Sequence, residues 1–124
     1  NVLDKLDSIL ILTVNPGFGG QEFIESMLNK IKKAKNMVDD YLKSTKKIKI
    51  IDIGVDGGIN INTIDKARQA GANSFIMGTS FFKSSNPKDF VNSLKKIALK
   101  ELQIWSWLFL MLLILFIGTI YFKK

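Results

Sequence analysis

Apolar positions along the chain switch between two spacings. Ser8 to Val14 is a short, almost wholly apolar run halted by Asn15-Pro16-Gly17, the pattern of a buried strand entering a loop. From Gln21 to Tyr41 the apolar residues Phe23, Ile24, Met27, Leu28, Ile31, Ala34 and Val38 recur at helical spacing, which predicts an amphipathic helix with a Lys-rich outer face. Lys47 to Val55 is rich in β-branched residues and stops at Asp56-Gly57-Gly58, a second strand. Asn62 to Ala70 predicts a short helix with Asn62 as N-cap, Asp65 at its third position as in a capping box, and Gly71 just past its end. Ser74 to Met77 reads as a third strand closed by Gly78. Pro87 to Leu99 reads as a third helix, with Asn86 as N-cap and Pro87 at the first helical position.

Strands that are apolar throughout and alternate with helices make parallel βα units, so the fold class is α/β. Three units cannot close a barrel. On pattern alone, a doubly wound sheet and part of a barrel both fit.

The composition changes near residue 101. Ile104 to Phe122 is a run of 19 residues without a charge, about 28 Å long as a helix at 1.5 Å per residue. Trp105, Trp107 and Tyr121 lie near its ends, and Lys100 and Lys123-Lys124 bracket it, as at a membrane interface. The expected organisation is a partial globular domain over residues 1–100 and a membrane-competent helix over 104–122. Translation past the end of a gene in AT-rich sequence would give the same residue types, and both origins stay open.

Charge and residue types narrow the chemistry. The 124 residues carry 18 Lys and Arg against 11 Asp and Glu, a formal net charge of +7, with neither Cys nor His. Without Cys there is no disulfide framework and no thiolate nucleophile. Without His the usual acid–base of neutral pH and the commonest metal ligand are both absent. Among the basic residues only Arg68 is Arg, so base-edge readout lacks its usual fork and no nucleic-acid partner is expected. Asn1 to Ile9 has no basic stretch leading into an apolar one, so no signal peptide is expected there.

Each strand runs into a small polar or glycine-rich loop: Asn15 to Gln21, then Asp56-Gly57-Gly58, then Gly78-Thr79-Ser80. Parallel α/β proteins place their sites at these strand ends. Glycines let the backbone approach an anion and offer bare N–H groups, so three such loops suggest a phosphate site. Strand alternation puts Ile50, Asp52, Gly54 and Asp56 on one face and Ile51, Ile53 and Val55 on the other. The apolar set would pack on helices, leaving Asp56 at the mouth of the opposite face. Taken alone, an Asp before Gly-Gly is more often a turn former than a catalytic or metal-binding carboxylate.

Thr13-Val14-Asn15-Pro16-Gly17-Phe18-Gly19-Gly20-Gln21, followed by Val55-Asp56-Gly57-Gly58-Ile59 and Ala70-Gly71-Ala72-Asn73, resembles ribulose-phosphate 3-epimerase. The first block is highly specific; the other two also occur in related phosphate-binding barrels. The likeness spans about residues 1–100 and the last three βα units of that family's (β/α)8 barrel, strands 6–8 with their helices. It implies interconversion of ribulose 5-phosphate and xylulose 5-phosphate by proton removal and return at a carbon next to a ketone. It also implies a divalent metal cation (Zn, Fe, Mn or Co) and a cytoplasmic enzyme domain, and it is compatible with a homo-oligomeric parent enzyme. By motif, Asp56 matches an acid–base carboxylate that is also a metal ligand. Gly17, Phe18, Gly19 and Gly20 match a loop that closes over the substrate, and Gly57, Gly58, Gly78 and Thr79 match phosphate contacts. Leu12 stands where the family commonly has Met, and Gly54 where many members have Glu or Gln. The Lys-rich stretch from Asn36 to Lys49 reads as a surface insertion against that family. The family's other acid–base Asp and its two metal-binding His lie on earlier strands, so the chain as given is expected to be inactive alone. The competing expectation is a catalytically incomplete, membrane-anchored remnant that binds phosphate.

Overall fold

The β-branched runs become three parallel strands. The computed structural model describes residues 2–97 and 108–112. After a 3-10 turn at Leu3–Lys5, the order is β1 (Ser8–Leu12), α1 (Met27–Thr45), β2 (Asp52–Asp56), α2 (Ile64–Gln69), β3 (Ser74–Ile76) and a short α3 (Thr79–Phe82). A further helix, α4, covers 87–97. The sheet order is β1-β2-β3, all parallel, with Leu12 opposite Asp56 and Asp56 opposite Ile76. This is an α/β arrangement consistent with part of a (β/α)8 barrel.

Strand alternation sorts the two faces as expected. Ile53 and Val55 are buried on the helix side with Ile31 and Val38 of α1, Ile64 and Ala67 of α2 and Leu94 of α4. Full burial of an Ile or Val contributes roughly 1.5–3 kcal/mol, so this one layer holds the sheet to its helices. On the other face Leu10, Leu12 and Ile76 remain exposed around Asp56.

Several boundaries differ from the sequence expectations, each for a tertiary reason. The first helix begins at Met27 rather than Gln21, because the Ile24 N–H is drawn to the Thr13 carbonyl (2.8 Å) and the chain before it packs on the β2 loop. It then runs on to Thr45, where Lys46 takes the left-handed conformation. Most of the supposed insertion from Asn36 to Lys49 is therefore the second half of α1, with Val38 and Tyr41 buried. The second strand starts at Asp52 rather than Lys47. β1 begins at Ser8, opposite Asp52, so the residues before Asp52 have no partner strand and Ile48 and Ile50 stay exposed.

Asn62 is not the cap of α2. Asn60 fills that place: its Oδ1 accepts from the Asn62 and Thr63 N–H groups (2.8 and 3.2 Å), and its own N–H donates to Thr63 Oγ1 (2.9 Å). Asp65 instead pairs with Arg68 (2.9 Å) and accepts from Gln69. The other end matches its signal. Gly71 has φ +115°, its N–H donates to the Arg68 carbonyl and the Ala72 N–H to the Ala67 carbonyl, the paired bonds of a Schellman motif. Asn86 caps α4 through Oδ1 and the Asp89 N–H (3.2 Å). The expected end of that helix at Leu99 lies outside the described residues.

The apolar run 104–122 is described only at 108–112, which is helical with exposed side chains. Among the described residues no helix is long and apolar enough to cross a membrane. The rest of that expectation lies outside them.

Candidate functional site

The parallel register sets three loops side by side at the C-terminal ends of the strands. Together they line an open cavity of about 590 Å³. Asp56 lies on its wall, with Gly17, Phe18, Gly19 and Gly20 from the β1 loop, Gly57 and Gly58 from the β2 loop, and Gly78 and Thr79 after β3. All the residues singled out from the sequence thus share one cavity. The β1 loop also closes on the β3 side, since Gly19 and Gly20 lie beside the Thr79 side chain.

Asp56 is half-buried, at the last position of β2 and on the face away from the helices. Among the described residues it is the sole carboxylate on the wall, and no Lys or Arg lines it. Among the described residues no cation pairs with its side chain. An anion in this cavity would therefore be held by backbone N–H groups, hydroxyls and amides rather than by cations.

The loop after β2 is braced from three directions. The Thr13 N–H donates to the Asp56 carbonyl (2.8 Å), and Thr13 Oγ1 lies within bonding reach of the Asp56 and Gly57 carbonyls (3.0 and 2.5 Å). Thr63 Oγ1 donates to the Gly58 carbonyl (2.9 Å) and Ser80 Oγ to that of Ile59 (2.6 Å). The β1 loop has its own brace: Gln21 Nε2 donates to the carbonyls of Asn15 (2.5 Å) and Phe18 (3.2 Å). The two loops also interlock. Gly58 has φ +66°, and a methyl group there would overlap the backbone of Phe23.

Sequence reasoning missed these braces. Thr13 and Gln21 sat inside the quoted motif and Ser80 inside the third loop, each without a role of its own, while Thr63 carried no signal. A hydroxyl's partners come from tertiary contact, which spacing does not encode. The two departures from the family pattern also find places. Leu12 lines the cavity, and Leu10 leans over Gly54, its Cδ1 3.2 Å from where a Cβ would stand.

The donor set does not by itself fit a metal. Among the described residues no group of three His, Cys, Asp or Glu could hold an ion. The sequence has no His, and among the described residues Asp56 stands alone as a carboxylate donor in the cavity. One carboxylate is far from the several ligands that a bound divalent cation requires.

Parallel βα units with glycine-rich loops gathered around a strand-end carboxylate make an α/β arrangement consistent with part of a (β/α)8 barrel. Comparison with known proteins makes this specific. The profile of the Ribulose-phosphate 3 epimerase family matches residues 1–82, and the chain belongs to that family. It is 44% identical over 105 residues to a ribulose-phosphate 3-epimerase of Buchnera aphidicola, covering 82% of this chain and 43% of that protein. The enzyme of the same name from Bacillus subtilis is 42% identical over 95 residues, 77% of this chain and 42% of that protein. For Escherichia coli K12 the identity is 37% over 94 residues, 76% of this chain and 39% of that protein. The chain thus spans about two-fifths of the length of these relatives.

Proposed function

We propose that this chain supplies the phosphate grip and one acid–base carboxylate of a ribulose-phosphate 3-epimerase acting on a pentulose 5-phosphate. The observation that carries the reading is the meeting of Asp56 with all three glycine-rich loops around one cavity. In this reading Gly57, Gly58, Gly78 and Thr79 hold the phosphate through backbone and hydroxyl donors. Gly17 to Gly20, with exposed Phe18 among them, lie over the sugar. Asp56 then faces the carbon to be inverted.

Inversion at a carbon next to a ketone removes a proton from one face and returns one to the other. Asp56 serves one face by accepting or giving a proton at its carboxylate. The opposite face needs a second group, which the described residues of this cavity do not supply. Asp56 is also the position that the family resemblance makes a metal ligand. No step is assigned to a metal, because the described residues do not form a site for one.

A chimera tests the reading. Residues 1–97 of this chain replace the aligned C-terminal part of the Bacillus subtilis relative, and conversion of ribulose 5-phosphate is followed. The chimera is expected to epimerise. Asp56→Asn in it is expected to lower kcat by about 100- to 10,000-fold, the usual cost of losing a positioned acid–base. More than a tenth of the activity surviving in Asp56→Asn would remove that residue from the role.

A further inference from the structure

Among the described residues Thr13 is the one fully buried polar side chain, at 0% exposure, directly after β1. It meets the β2 loop three times. Its N–H and its hydroxyl both reach the Asp56 carbonyl, and the hydroxyl also reaches the Gly57 carbonyl at the shorter distance of 2.5 Å. A hydroxyl has one proton to give. The Asp56 carbonyl already accepts from the Thr13 N–H, and the Gly57 carbonyl is nearer, so the geometry assigns the proton to Gly57. The described peptide bonds are all trans, so a C=O and the N–H of the next residue lie in one plane and point in opposite directions. A Gly57 carbonyl held back toward Thr13 therefore turns the Gly58 N–H away from Thr13. Among the described residues that N–H donates to no protein acceptor.

We propose that the Thr13 hydroxyl is a positioning residue: by holding the Gly57 carbonyl it presents the Gly58 N–H to an anion in the strand-end cavity and fixes the backbone that carries Asp56. Thr13 touches no ligand itself. Its carbonyl accepts from the Ile24 N–H, so the same residue ties the end of the β1 loop to the β2 loop. The Gly57 side reinforces this, since any Cβ there would run into Val14, the neighbour of Thr13. The anion-binding half of this inference rests on the function proposed above. The loop-positioning half does not.

The test uses the full chain and three variants, with inorganic phosphate as the probe and the Gly57 and Gly58 amide resonances as the readout. Thr13→Ser keeps the hydroxyl, and Thr13→Val keeps the shape without it. Val38→Ala, buried on α1 away from the cavity, controls for a general loss of stability. Thr13→Val is expected to weaken phosphate binding about tenfold, the order of one lost hydrogen bond to a buried carbonyl. Thr13→Ser is expected to stay within about twofold of wild type. Val38→Ala is expected to lower Tm without changing the phosphate Kd. Equal affinity in Thr13→Val and wild type would overturn the proposal. So would an equal loss in Val38→Ala at matched Tm. If the unaltered chain shows no response to phosphate, the phosphate reading fails and amide exchange decides the positioning role. Faster exchange at Gly58 in Thr13→Val, but not in Thr13→Ser, upholds it; the same rate in all three overturns it.

Discussion

Gly58 shows how one residue ties local conformation to the site. Its φ of +66° lies in the left-handed region, and the space where a Cβ would stand is filled by the backbone of Phe23. Backbone cannot move aside as the tip of a flexible side chain can. Gly58→Ala is expected to cost at least about 1–2 kcal/mol for the left-handed conformation alone, with the overlap added to it. Urea denaturation measures this, and an unchanged midpoint would show that the two loops do not interlock as described. Asp56 was legible in the sequence because Asp-Gly-Gly follows an apolar strand. Thr13 was not, because nothing in a sequence distinguishes a threonine bonded to two carbonyls from one that merely ends a strand.

At the scale of elements, the apolar periodicity marked every strand and the three longer helices, and what it missed has a common origin. Period and β-propensity describe one segment at a time, whereas ends are set by neighbours. Lys47 to Ile51 has the composition of a strand but no strand beside it, so the ladder begins at Asp52. Asn36 to Thr45 looked like surplus chain because it was read together with Lys46, Lys47 and Lys49 that follow it, yet Val38 and Tyr41 keep its inner face buried. At α2 the capping signal was displaced by two residues, from Asn62 to Asn60, because the Asn60 side chain closes the turn before the helix instead. Asn60→Ala is expected to destabilise the chain by about 1 kcal/mol, and Asn62→Ala by much less. Thermal unfolding of the two variants compares them directly, and a larger loss for Asn62→Ala would return the cap to that residue. Short α3 left no trace in the apolar pattern, since its four residues give no repeat to detect.

For the whole molecule, the sheet has one face covered by helices and one that carries Leu10, Leu12 and Ile76 at 54%, 47% and 47% exposure. Apolar side chains in a row beside a strand-end carboxylate are what the inside of a parallel barrel presents to its other strands. The share of the relatives that the chain spans, 39–43%, accords with that view. The same substitution then has opposite consequences in two settings. In the full chain Leu10→Glu places its charge in water and is expected to change stability by no more than about 0.5 kcal/mol, as surface substitutions do. In the chimera with the Bacillus subtilis relative, the same carboxylate faces a closed interior, where an unpaired charge is costly. There it is expected to cost several kcal/mol or to prevent folding. Urea denaturation of the four proteins, each setting with and without the substitution, gives both numbers. A loss of more than about 2 kcal/mol in the full chain would mean that its own residues already cover this face. No loss in the chimera would mean that the face is not turned inward there, and the barrel placement of Asp56 would fall with it.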